Sequence, residues 1–466
     1  MRRFAARALA APALLLTLAL PALGQKLPTD ARLRSTVDSL ARAFVAASGA
    51  PGVSVQVVRG GDTIVKAGYG LADLEQKVPA SAETVYRIGS ITKQFASASL
   101  MRLVEQKKLA LDDSVGAYLP TLPASWRPVT IRQLLNHTSG IPSYTDTGER
   151  WRRRWGEPMS TDTLVAITAR DSMWFAPGTR WRYDNTGYVV VGMLLDKLTG
   201  QPFPQYVEQQ LVRPLGLQHT WYCDDERVIP GRARGYERVP DGWRNATYLS
   251  MTQPYSAGAL CSTVGDLARW NALLANGRVV SAESYRAMTT PQGAAAGSHY
   301  GFGLSEGSLA GHRMIRHGGG INGFITDNAY FPAESLSVTV LTNSGSARPG
   351  PLLENIVRAA FGVPLDKGLV RVSLTAEQRR PYAGRYELHT PDGQVMVITV
   401  IAGANALMAQ GEGQPAFELI PLGGHVFGAQ MDPSMRVTFA LENGKATGFT
   451  LAQGGATSQA KRVEAP

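Results

Sequence analysis

The chain has 466 residues, a formal net charge of +10, 44% apolar residues and 18% charged residues. This composition excludes an intrinsically disordered chain, and the length allows more than one domain. Its basic residues are spread along the sequence, so the charge favours solubility over a nucleic-acid partner, and we expect no nucleic-acid binding. Two cysteines without an H-E-x-x-H or paired C-x-x-C motif are too few for a metal site, so we expect neither a metal nor a cofactor.

Residues 1–24 have the pattern of a secretory signal peptide. A basic start precedes an apolar run from Leu9 to Leu20, and Ala22-Leu23-Gly24 forms a small-x-small cleavage site. The run is shorter than the ~20 residues that span a bilayer. We therefore expect an exported protein, periplasmic or secreted, without a transmembrane segment once the leader is removed.

Beyond the leader, a helix and a hairpin are predicted. Apolar residues at helical spacing predict a helix over Arg32–Ala47. Alternating β-branched residues over Val53–Val58 and Thr63–Tyr69, separated by Gly60-Gly61-Asp62, predict a β-hairpin.

The next segment places a hydroxyl and an amine three residues apart, at Ser90 and Lys93. If Ile91–Val104 is helical, both side chains lie on one face about one turn apart. A serine hydroxyl needs a base to become a nucleophile, and a partly desolvated lysine can be neutral near pH 7 and act as that base. The spacing alone is weak evidence, because Ser458-Gln459-Ala460-Lys461 repeats it in a polar tail.

The rest of the chain up to residue 365 predicts an α+β fold. Its middle is mostly helical, and antiparallel strand patterns and a closing helix follow. The predicted helices are Ile131–Leu135, Thr161–Ala169, Tyr188–Leu198, Pro204–Leu211, Thr263–Ala275 and Leu352–Phe361, and the predicted strands are His312–His317, Phe324–Phe331 and Leu336–Leu341. Strands near both ends of residues 25–365 indicate one antiparallel sheet flanked by helices, with an inserted helical subdomain.

The pattern of predicted secondary structure changes near residue 366. Short strand patterns separated by Gly, Pro and Asn turns predict a separate all-β domain over residues 366–466, either a barrel or a sandwich. The predicted strands are Gly384–Leu388, Val395–Ile401, Phe417–Ile420, Arg436–Leu441 and Phe449–Ala452.

Two further short segments carry candidate chemistry. Tyr183-Asp184-Asn185 precedes an apolar helix; its phenol can relay a proton, although a plain capping turn is the alternative. His317-Gly318-Gly319-Gly320 lies between two strand patterns, where glycines let a substrate backbone approach the sheet edge. The N–H groups of Gly320 and Ser90 are candidate oxyanion donors. The H-x-G form also occurs at His299-Tyr300-Gly301.

Taken in this order, S-x-x-K, Y-x-N and H-x-G resemble the serine β-lactamase-related family. That family includes class C β-lactamases, D-alanyl-D-alanine carboxypeptidases, D-aminopeptidases and family VIII esterases. Leu134–Pro142, Ser256–Leu260 and Tyr300–Gly303 also resemble it, and the resemblance covers roughly residues 30–360. The C-terminal region resembles, more loosely, a lipocalin-like β domain appended to such hydrolases.

The resemblance implies a β-lactamase/DD-peptidase-like fold and an acyl-enzyme mechanism. It implies that Ser90 attacks the substrate and that Lys93 and Tyr183 share the role of base. Asn185 would orient Lys93 and bind the substrate amide, and His317 would lie near the substrate carboxylate or leaving group. The remaining implied roles are substrate binding at Gly318 and Gly319 and an oxyanion hole at Ser90 and Gly320. Neither the residues nor the resemblance decides whether Lys93 or Tyr183 is the base.

This chain departs from the K-T-G and Y-S-N patterns that are frequent in the family. His317 and Gly318 replace the lysine and threonine, which weakens recognition of a substrate carboxylate. Asp184 replaces the frequent serine, and we expect its side chain to point outward. The sequence thus predicts a serine hydrolase of the esterase or D-alanyl-D-alanine carboxypeptidase type, acting on esters or D-amino-acid peptides and amides. A class C-like β-lactamase and a non-catalytic penicillin-binding or sensor protein are the alternatives.

The remaining prediction concerns Cys223 and Cys261. In an oxidising compartment they form either one disulfide or two separate buried thiols. The expected partner is a small-molecule or peptide substrate: an ester, a β-lactam or a D-amino-acid peptide.

Overall fold

The computed structural model describes residues 27–47, 49–239, 242–366, 374–389, 395–403, 406–412, 416–429, 432–453 and 456–463. Contacts between residues divide the chain into two compact units, one ending at Leu365 and the other beginning at Asp366. The predicted signal peptide, residues 1–24, lies outside the described residues.

The first unit mixes helices and strands. Its α-helices are α1 (Asp30–Ala46), α2 (Thr92–Glu105), α3 (Ile131–Leu135), α4 (Glu149–Arg152), α5 (Thr161–Thr168), α6 (Asn185–Thr199), α7 (Phe203–Val207), α8 (Tyr255–Gly258), α9 (Val264–Ala275), α10 (Ala282–Thr289) and α11 (Pro349–Ala360). Its strands are β1 (Gly52–Arg59), β2 (Asp62–Asp73), β3 (Val78–Pro79), β4 (Tyr86–Arg87), β5 (Trp221–Tyr222), β6 (Tyr236–Val239), β7 (Gly242–Asn245), β8 (Leu260–Ser262), β9 (Ser305–Leu309), β10 (His312–Ile321), β11 (Phe324–Phe331) and β12 (Leu336–Thr342).

The central sheet is built from both ends of this unit, as the sequence predicted. Its order is β3-β2-β1-β12-β11-β10-β9, and all neighbouring pairs are antiparallel. The predicted hairpin is present: β1 and β2 are joined through Gly60 and Gly61, which both have positive φ, the conformation that a tight hairpin turn requires.

Alternation along β1 separates two faces of the sheet. Val53, Val55 and Val57 are buried in one apolar cluster with residues of β12, α1 and α11. On the opposite face, Ser54 hydrogen-bonds the hydroxyl of Tyr86 on β4, which belongs to the helical side of the unit. Because side chains alternate along a strand, one strand holds two layers of helices to the sheet.

The inserted helical region fills the second face. Helix α2 is the most enclosed helix there, with every residue from Thr92 to Met101 buried. It contacts α6 and α8, while α9 packs on β1 and β12. A three-stranded sheet in the order β4-β8-β5 runs beside the start of α2. This packing fixes the first turn of α2 between the helical region and β10.

The second unit is a closed antiparallel barrel, so the barrel alternative was correct. Its elements are α12 (Ala376–Arg379), β13 (Gly384–His389), β14 (Val395–Ala402), β15 (Leu407–Gly411), β16 (Phe417–Gly423), β17 (Val426–Ala429), β18 (Asp432–Glu442), β19 (Lys445–Gln453) and β20 (Ala456–Val463). Pairing of β13 with β20 closes it. The sequence predictions missed β15, β17 and β20.

The second S-x-x-K sequence lies in β20. Ser458 is buried, whereas Lys461 is exposed, because residues three apart on a strand point to opposite faces. This pair therefore lacks the geometry that a helix gives to Ser90 and Lys93.

Candidate active site

Ser90 lies in a tight turn between β4 and α2. Gly89, which precedes it, has φ +51°, and a Cβ there would come 2.9 Å from the backbone nitrogen of Gly320. Glycine is thus required by both the backbone conformation and the close approach of β10. Gly89–Ile91 form a 3₁₀ turn that leads directly into α2, and Ser90 itself is partly exposed. The turn presents the serine to an incoming substrate.

Lys93 is fully buried one turn along and contacts three oxygen atoms. Its Nζ lies 3.1 Å from Ser90 Oγ, 2.8 Å from Asn185 Oδ1 and 2.8 Å from the carbonyl oxygen of Ala257. The last two are carbonyl oxygens, which only accept hydrogen bonds. A neutral amine therefore donates its two hydrogens to Asn185 and Ala257, and its lone pair faces the Ser90 hydroxyl. The arrangement suits an amine that removes a proton from Ser90.

Burial lowers the pKa of Lys93 to about 7, with the charge of Asp184 opposing the shift. A neutral amine is therefore available near neutral pH. The rings of Tyr183 and Tyr188 lie 4.8 Å and 5.3 Å from Nζ. Such ring faces stabilise a protonated amine as well, so the site tolerates both protonation states.

Tyr183 lies beside Lys93 and Ser90, but burial favours its protonated form. Its hydroxyl is buried and makes no hydrogen bond to any described residue. Burial raises the pKa of Tyr183 above its ordinary value; the nearby Ser90 hydroxyl opposes the rise and the charge of Asp184 adds to it. Ser90 thus lies close enough to influence the phenol, although the two hydroxyls do not meet hydrogen-bond geometry. In this state the phenol keeps its proton.

Asp184 corrects one expectation from the sequence. Its side chain points inward and is 1% exposed. It caps α6 by accepting the N–H of Gly187, and it accepts the Ser139 hydroxyl at 3.1 Å. The capping-turn interpretation of this segment therefore also holds. Because the cap fixes the start of α6, it also fixes Asn185, whose backbone N–H donates to Ser143 Oγ at 3.0 Å.

His317 lies on β10 with a fixed tautomer. Its Nδ1 contacts the carbonyl oxygen of Gly318, which only accepts, so Nδ1 carries the proton. Nε2 then accepts the hydroxyl of Tyr300 at 2.8 Å. Burial lowers the pKa of His317 to about 3, and the charge of Lys93 contributes. The third motif is therefore neutral at physiological pH.

The register of β10 decides which glycines face outward. The two-residue turn Asn322-Gly323 makes Ile321 and Phe324 a hydrogen-bonded pair. Because hydrogen-bonded and non-hydrogen-bonded pairs alternate along antiparallel strands, Gly320 belongs to a non-hydrogen-bonded pair, and its N–H points away from β11. Strand β9 pairs with β10 only as far as Arg316, which leaves this edge open among the described strands. The Gly320 N–H is thus free to serve with Ser90 N–H as an oxyanion donor.

The two predicted substrate-binding glycines differ. Gly318 is exposed at the open edge. Gly319 is buried, its backbone pairs with Thr326, and a Cβ there would come 1.9 Å from the carbonyl oxygen of Ile88. The contact of Gly319 with substrate stays a prediction. The structure shows that a glycine is required here for packing under the Ser90 turn.

Sequence reasoning did not assign roles to His137 and Tyr300. His137 is fully buried with φ +61°, and its ring lies 4.2 Å from the ring of Tyr183 and 4.7 Å from that of Tyr300. Its Nδ1 accepts the Asp184 N–H at 3.2 Å. Both residues lie in segments that carried the family resemblance, Leu134–Pro142 and Tyr300–Gly303, and that was the available signal.

With this geometry established, comparison with known proteins decides the family. The profile described as Beta-lactamase matches residues 37–361, well over half of the chain. The chain belongs to the beta-lactamase family.

Two curated relatives and one solved structure illustrate the similarity. The D-aminopeptidase of Gluconobacter oxydans (strain 621H) is 28% identical over 346 residues, which is 72% of this chain and 63% of that protein. Penicillin-binding protein 4* of Bacillus subtilis (strain 168) is 25% identical over 440 residues, 88% of this chain and 95% of that protein. The octameric penicillin-binding protein homologue from Pyrococcus abyssi shares the fold, with a TM-score of 0.66 at 24% identity over 91% of this chain and 99% of that one. The chain thus spans less than two thirds of the D-aminopeptidase's length.

The two cysteines of this beta-lactamase family member are free buried thiols in the structure, which agrees with the second alternative. Trp221, not Cys223, lies opposite Cys261 in the pairing of β5 with β8, and Cys223 continues that pairing opposite Ala259. The cysteines are diagonal neighbours whose thiols interact, and the hydrogen bond from Cys261 lowers the pKa of Cys223.

No group of His, Cys, Asp and Glu in the described part of the chain could hold a metal ion. Among the described helices, none combines the length and the apolar character needed to cross a bilayer. The candidate site of this family member consists of Ser90, Lys93, Tyr183, Asn185 and the open edge of β10.

Proposed function

We propose that this protein is a serine hydrolase that forms an acyl-enzyme on Ser90. The observation that carries the proposal is the position of the Lys93 amine. Two carbonyl acceptors hold it at 2.8 Å, and Ser90 Oγ lies 3.1 Å away, so the neutral amine has its lone pair left for the Ser90 proton. A serine needs such a base in hydrogen-bond reach to attack a carbonyl.

The reaction begins when neutral Lys93 takes the proton of Ser90 as Oγ bonds to the substrate carbonyl carbon. The negative carbonyl oxygen receives hydrogen bonds from the N–H groups of Ser90 and Gly320. The C–O or C–N bond then breaks, and the leaving group receives a proton from Lys93, directly or through the hydroxyl of Tyr183. Water attacks the acyl-enzyme by the reverse proton path and releases the acid.

Lys93 is the better candidate for the base in the free protein. Burial lowers the pKa of Lys93 to about 7 and raises the pKa of Tyr183. Tyr183 keeps its proton and is suited to deliver one to the leaving group.

The H-x-G motif at His317 favours substrates that have no carboxylate next to the scissile bond. His317 is neutral because its pKa is lowered to about 3, and Gly318 has no hydroxyl. Esters and D-amino-acid amides or peptides fit this site better than penicillins or cell-wall D-alanyl-D-alanine ends. The similarity to a D-aminopeptidase, at 28% identity, supports the same substrate class.

The proposal is tested with p-nitrophenyl esters, D-amino-acid p-nitroanilides, a D-alanyl-D-alanine peptide and nitrocefin. Ser90→Ala is expected to abolish hydrolysis and the mass increase of the acyl-enzyme, and Ser458→Ala, which alters the second S-x-x-K sequence, is the matched control. Unchanged hydrolysis in Ser90→Ala would contradict the proposal. Nitrocefin turnover equal to ester turnover would favour a β-lactamase, and acylation without turnover would favour a sensor.

We also propose that the protein is exported, since residues 1–24 carry the pattern of a signal peptide. Mass spectrometry of the natively expressed protein should give a mature chain that begins at Gln25 in the periplasmic or extracellular fraction. A full-length chain in the cytoplasm would contradict export.

A further inference from the structure

Asp184 is a buried carboxylate next to the proposed base. Its two oxygens each receive one donor, the N–H of Gly187 at the start of α6 and the hydroxyl of Ser139. These hydrogen bonds stabilise the charged form, but the side chain is only 1% exposed, and burying a charge is unfavourable unless it is compensated.

Helix capping alone does not account for a carboxylate here. The other described helices of this chain with a side-chain cap use a neutral hydroxyl; these caps are Thr29, Thr130, Ser160, Thr263, Ser281 and Thr375. Serine, threonine and asparagine cap as well as aspartate does. A charge that is costly to bury, at a position where a hydroxyl would suffice, points to a role for the charge itself.

The groups around Asp184 identify the partner of that charge. His137 Nδ1 lies 3.9 Å from Asp184 Oδ2, but it accepts the Asp184 N–H and therefore carries no proton toward the carboxylate. Arg182, the preceding basic residue, is directed outward to Asp146. Tyr183, Tyr188 and Tyr300 lie within its electrostatic reach and are neutral, since burial raises the pKa of each. Lys93 remains as the cation that acts on Asp184. Its Nζ contacts both residues that flank Asp184 in the chain, at 2.8 Å from Asn185 Oδ1 and 4.8 Å from the centre of the Tyr183 ring.

We propose that Asp184 is a positioning residue whose buried carboxylate acts on Lys93 by charge and so sets the pH range in which the amine deprotonates Ser90. The inference rests on the proposed function, because it takes Lys93 as the base. Asp184 makes no hydrogen bond to Ser90 and acts through its neighbours: on Lys93, and on Tyr183, whose raised pKa its charge reinforces.

The electrostatics agree with this geometry. Burial raises the pKa of Asp184 to about 7, opposed by Gly187, Ser139 and Lys93. Burial lowers the pKa of Lys93 to about 7, and Asp184 is the named opposing charge. Two interacting groups in the same range titrate as a pair. Without the carboxylate the amine loses its proton at lower pH and becomes a weaker base, which lowers the rate of attack by Ser90.

The test compares Asp184→Asn and Asp184→Ser with the unaltered protein. Both variants keep an N-cap and remove the charge. We expect the acid limb of kcat/KM for a neutral ester to move roughly one pH unit lower, and kcat at the plateau to fall. Ser160→Asn exchanges the exposed cap of α5, a helix that carries none of the site residues, and should leave the profile unmoved.

An activity-independent measurement separates this inference from the proposed function. In protein labelled with ¹³C-lysine, the resonance that disappears in Lys93→Ala is expected to titrate near pH 7 and to shift to lower pH in Asp184→Asn. If the unaltered protein hydrolyses nothing, the proposed function fails while this titration still tests the pair. Unchanged midpoints in folded variants, or loss of folding in both Asp184 variants, would overturn the inference and assign the carboxylate to stability.

Discussion

The hydroxyl of Tyr300 donates a hydrogen bond to Nε2 of His317 at 2.8 Å. Nδ1 of the same ring donates to the Gly318 carbonyl, so both ring nitrogens are hydrogen-bonded. The ring is thereby held in one orientation at the open edge of β10. The ring stays neutral because burial and the charge of Lys93 disfavour a second proton. This pair explains why the H-x-G motif does not simply replace the positive charge of a K-T-G motif.

Restoring that charge should change substrate preference. The double variant His317→Lys/Gly318→Thr recreates a K-T-G sequence, and the new ammonium can donate to a substrate carboxylate. We expect the ratio of kcat/KM for a D-alanyl-D-alanine peptide to that for its C-terminal amide to rise about tenfold, which corresponds to ~1.4 kcal/mol. Tyr300→Phe is the control, because it removes the bond to His317 without adding charge. An unchanged kcat/KM ratio in a folded double variant would show that the third motif does not recognise the substrate carboxylate.

The pH dependence of hydrolysis follows from Lys93, which titrates as a pair with Asp184, whose pKa burial raises to about 7. The pKa of Lys93 is about 7 in the folded protein, and only the neutral amine accepts the Ser90 proton. Activity should therefore rise with pH through a midpoint near 7 and be lost below it. His317, with a pKa of about 3, does not titrate in this range.

A profile of kcat/KM from pH 5 to 9 checks the assignment of that midpoint to Lys93. His317→Asn should lower the rate without moving the midpoint. If the midpoint moves in His317→Asn, histidine rather than Lys93 controls the profile.

A feature of the site could be predicted from the sequence when it depends on residues that are close together in the chain. Ser90 and Lys93 were predictable because three residues along a helix make one turn. Strands β1, β2, β10, β11 and β12 were predictable because their apolar residues alternate. The direction of the Asp184 side chain was not predictable, because it depends on Ser139, 45 residues away in the chain.

Contacts between distant parts of the chain also explain other features that the sequence did not predict. The bond between Tyr300 and His317 depends on how the segment before β9 packs beside β10. The burial of Gly319 depends on Ile88, far along the chain. In the barrel, β15, β17 and β20 are short or rich in Gly, Ala and polar residues, so their apolar alternation is weak.

The state of the cysteines gives a direct chemical prediction. Cys223 and Cys261 are both free and buried. Thiol titration of protein denatured without reductant should give two thiols per chain, and the native protein should react slowly because neither sulfur is exposed. Prior reduction should leave the count unchanged. A count of zero before reduction and two after it would show that a disulfide forms despite the diagonal register.

The glycines of β10 offer a matched pair of stability variants. Gly319→Ala would place a Cβ 1.9 Å from the Ile88 carbonyl oxygen and 2.5 Å from Thr326 Oγ1. Ile88 cannot easily yield, because its N–H is bonded to the Leu260 carbonyl at 3.0 Å. We expect the free energy of unfolding to fall by about 1–3 kcal/mol, the usual cost of overpacking.

Gly318→Ala is the control for this substitution. Its Cβ would come no closer than 3.3 Å to a neighbouring atom, the Thr326 carbonyl oxygen. We expect a change in unfolding free energy within roughly 0.5 kcal/mol, measured by urea denaturation followed by circular dichroism. Gly319→Ala should also slow acylation of Ser90, since relief of the clash displaces the turn that holds the serine. Equal destabilisation by the two substitutions would contradict the close approach of β10 to the Ser90 turn.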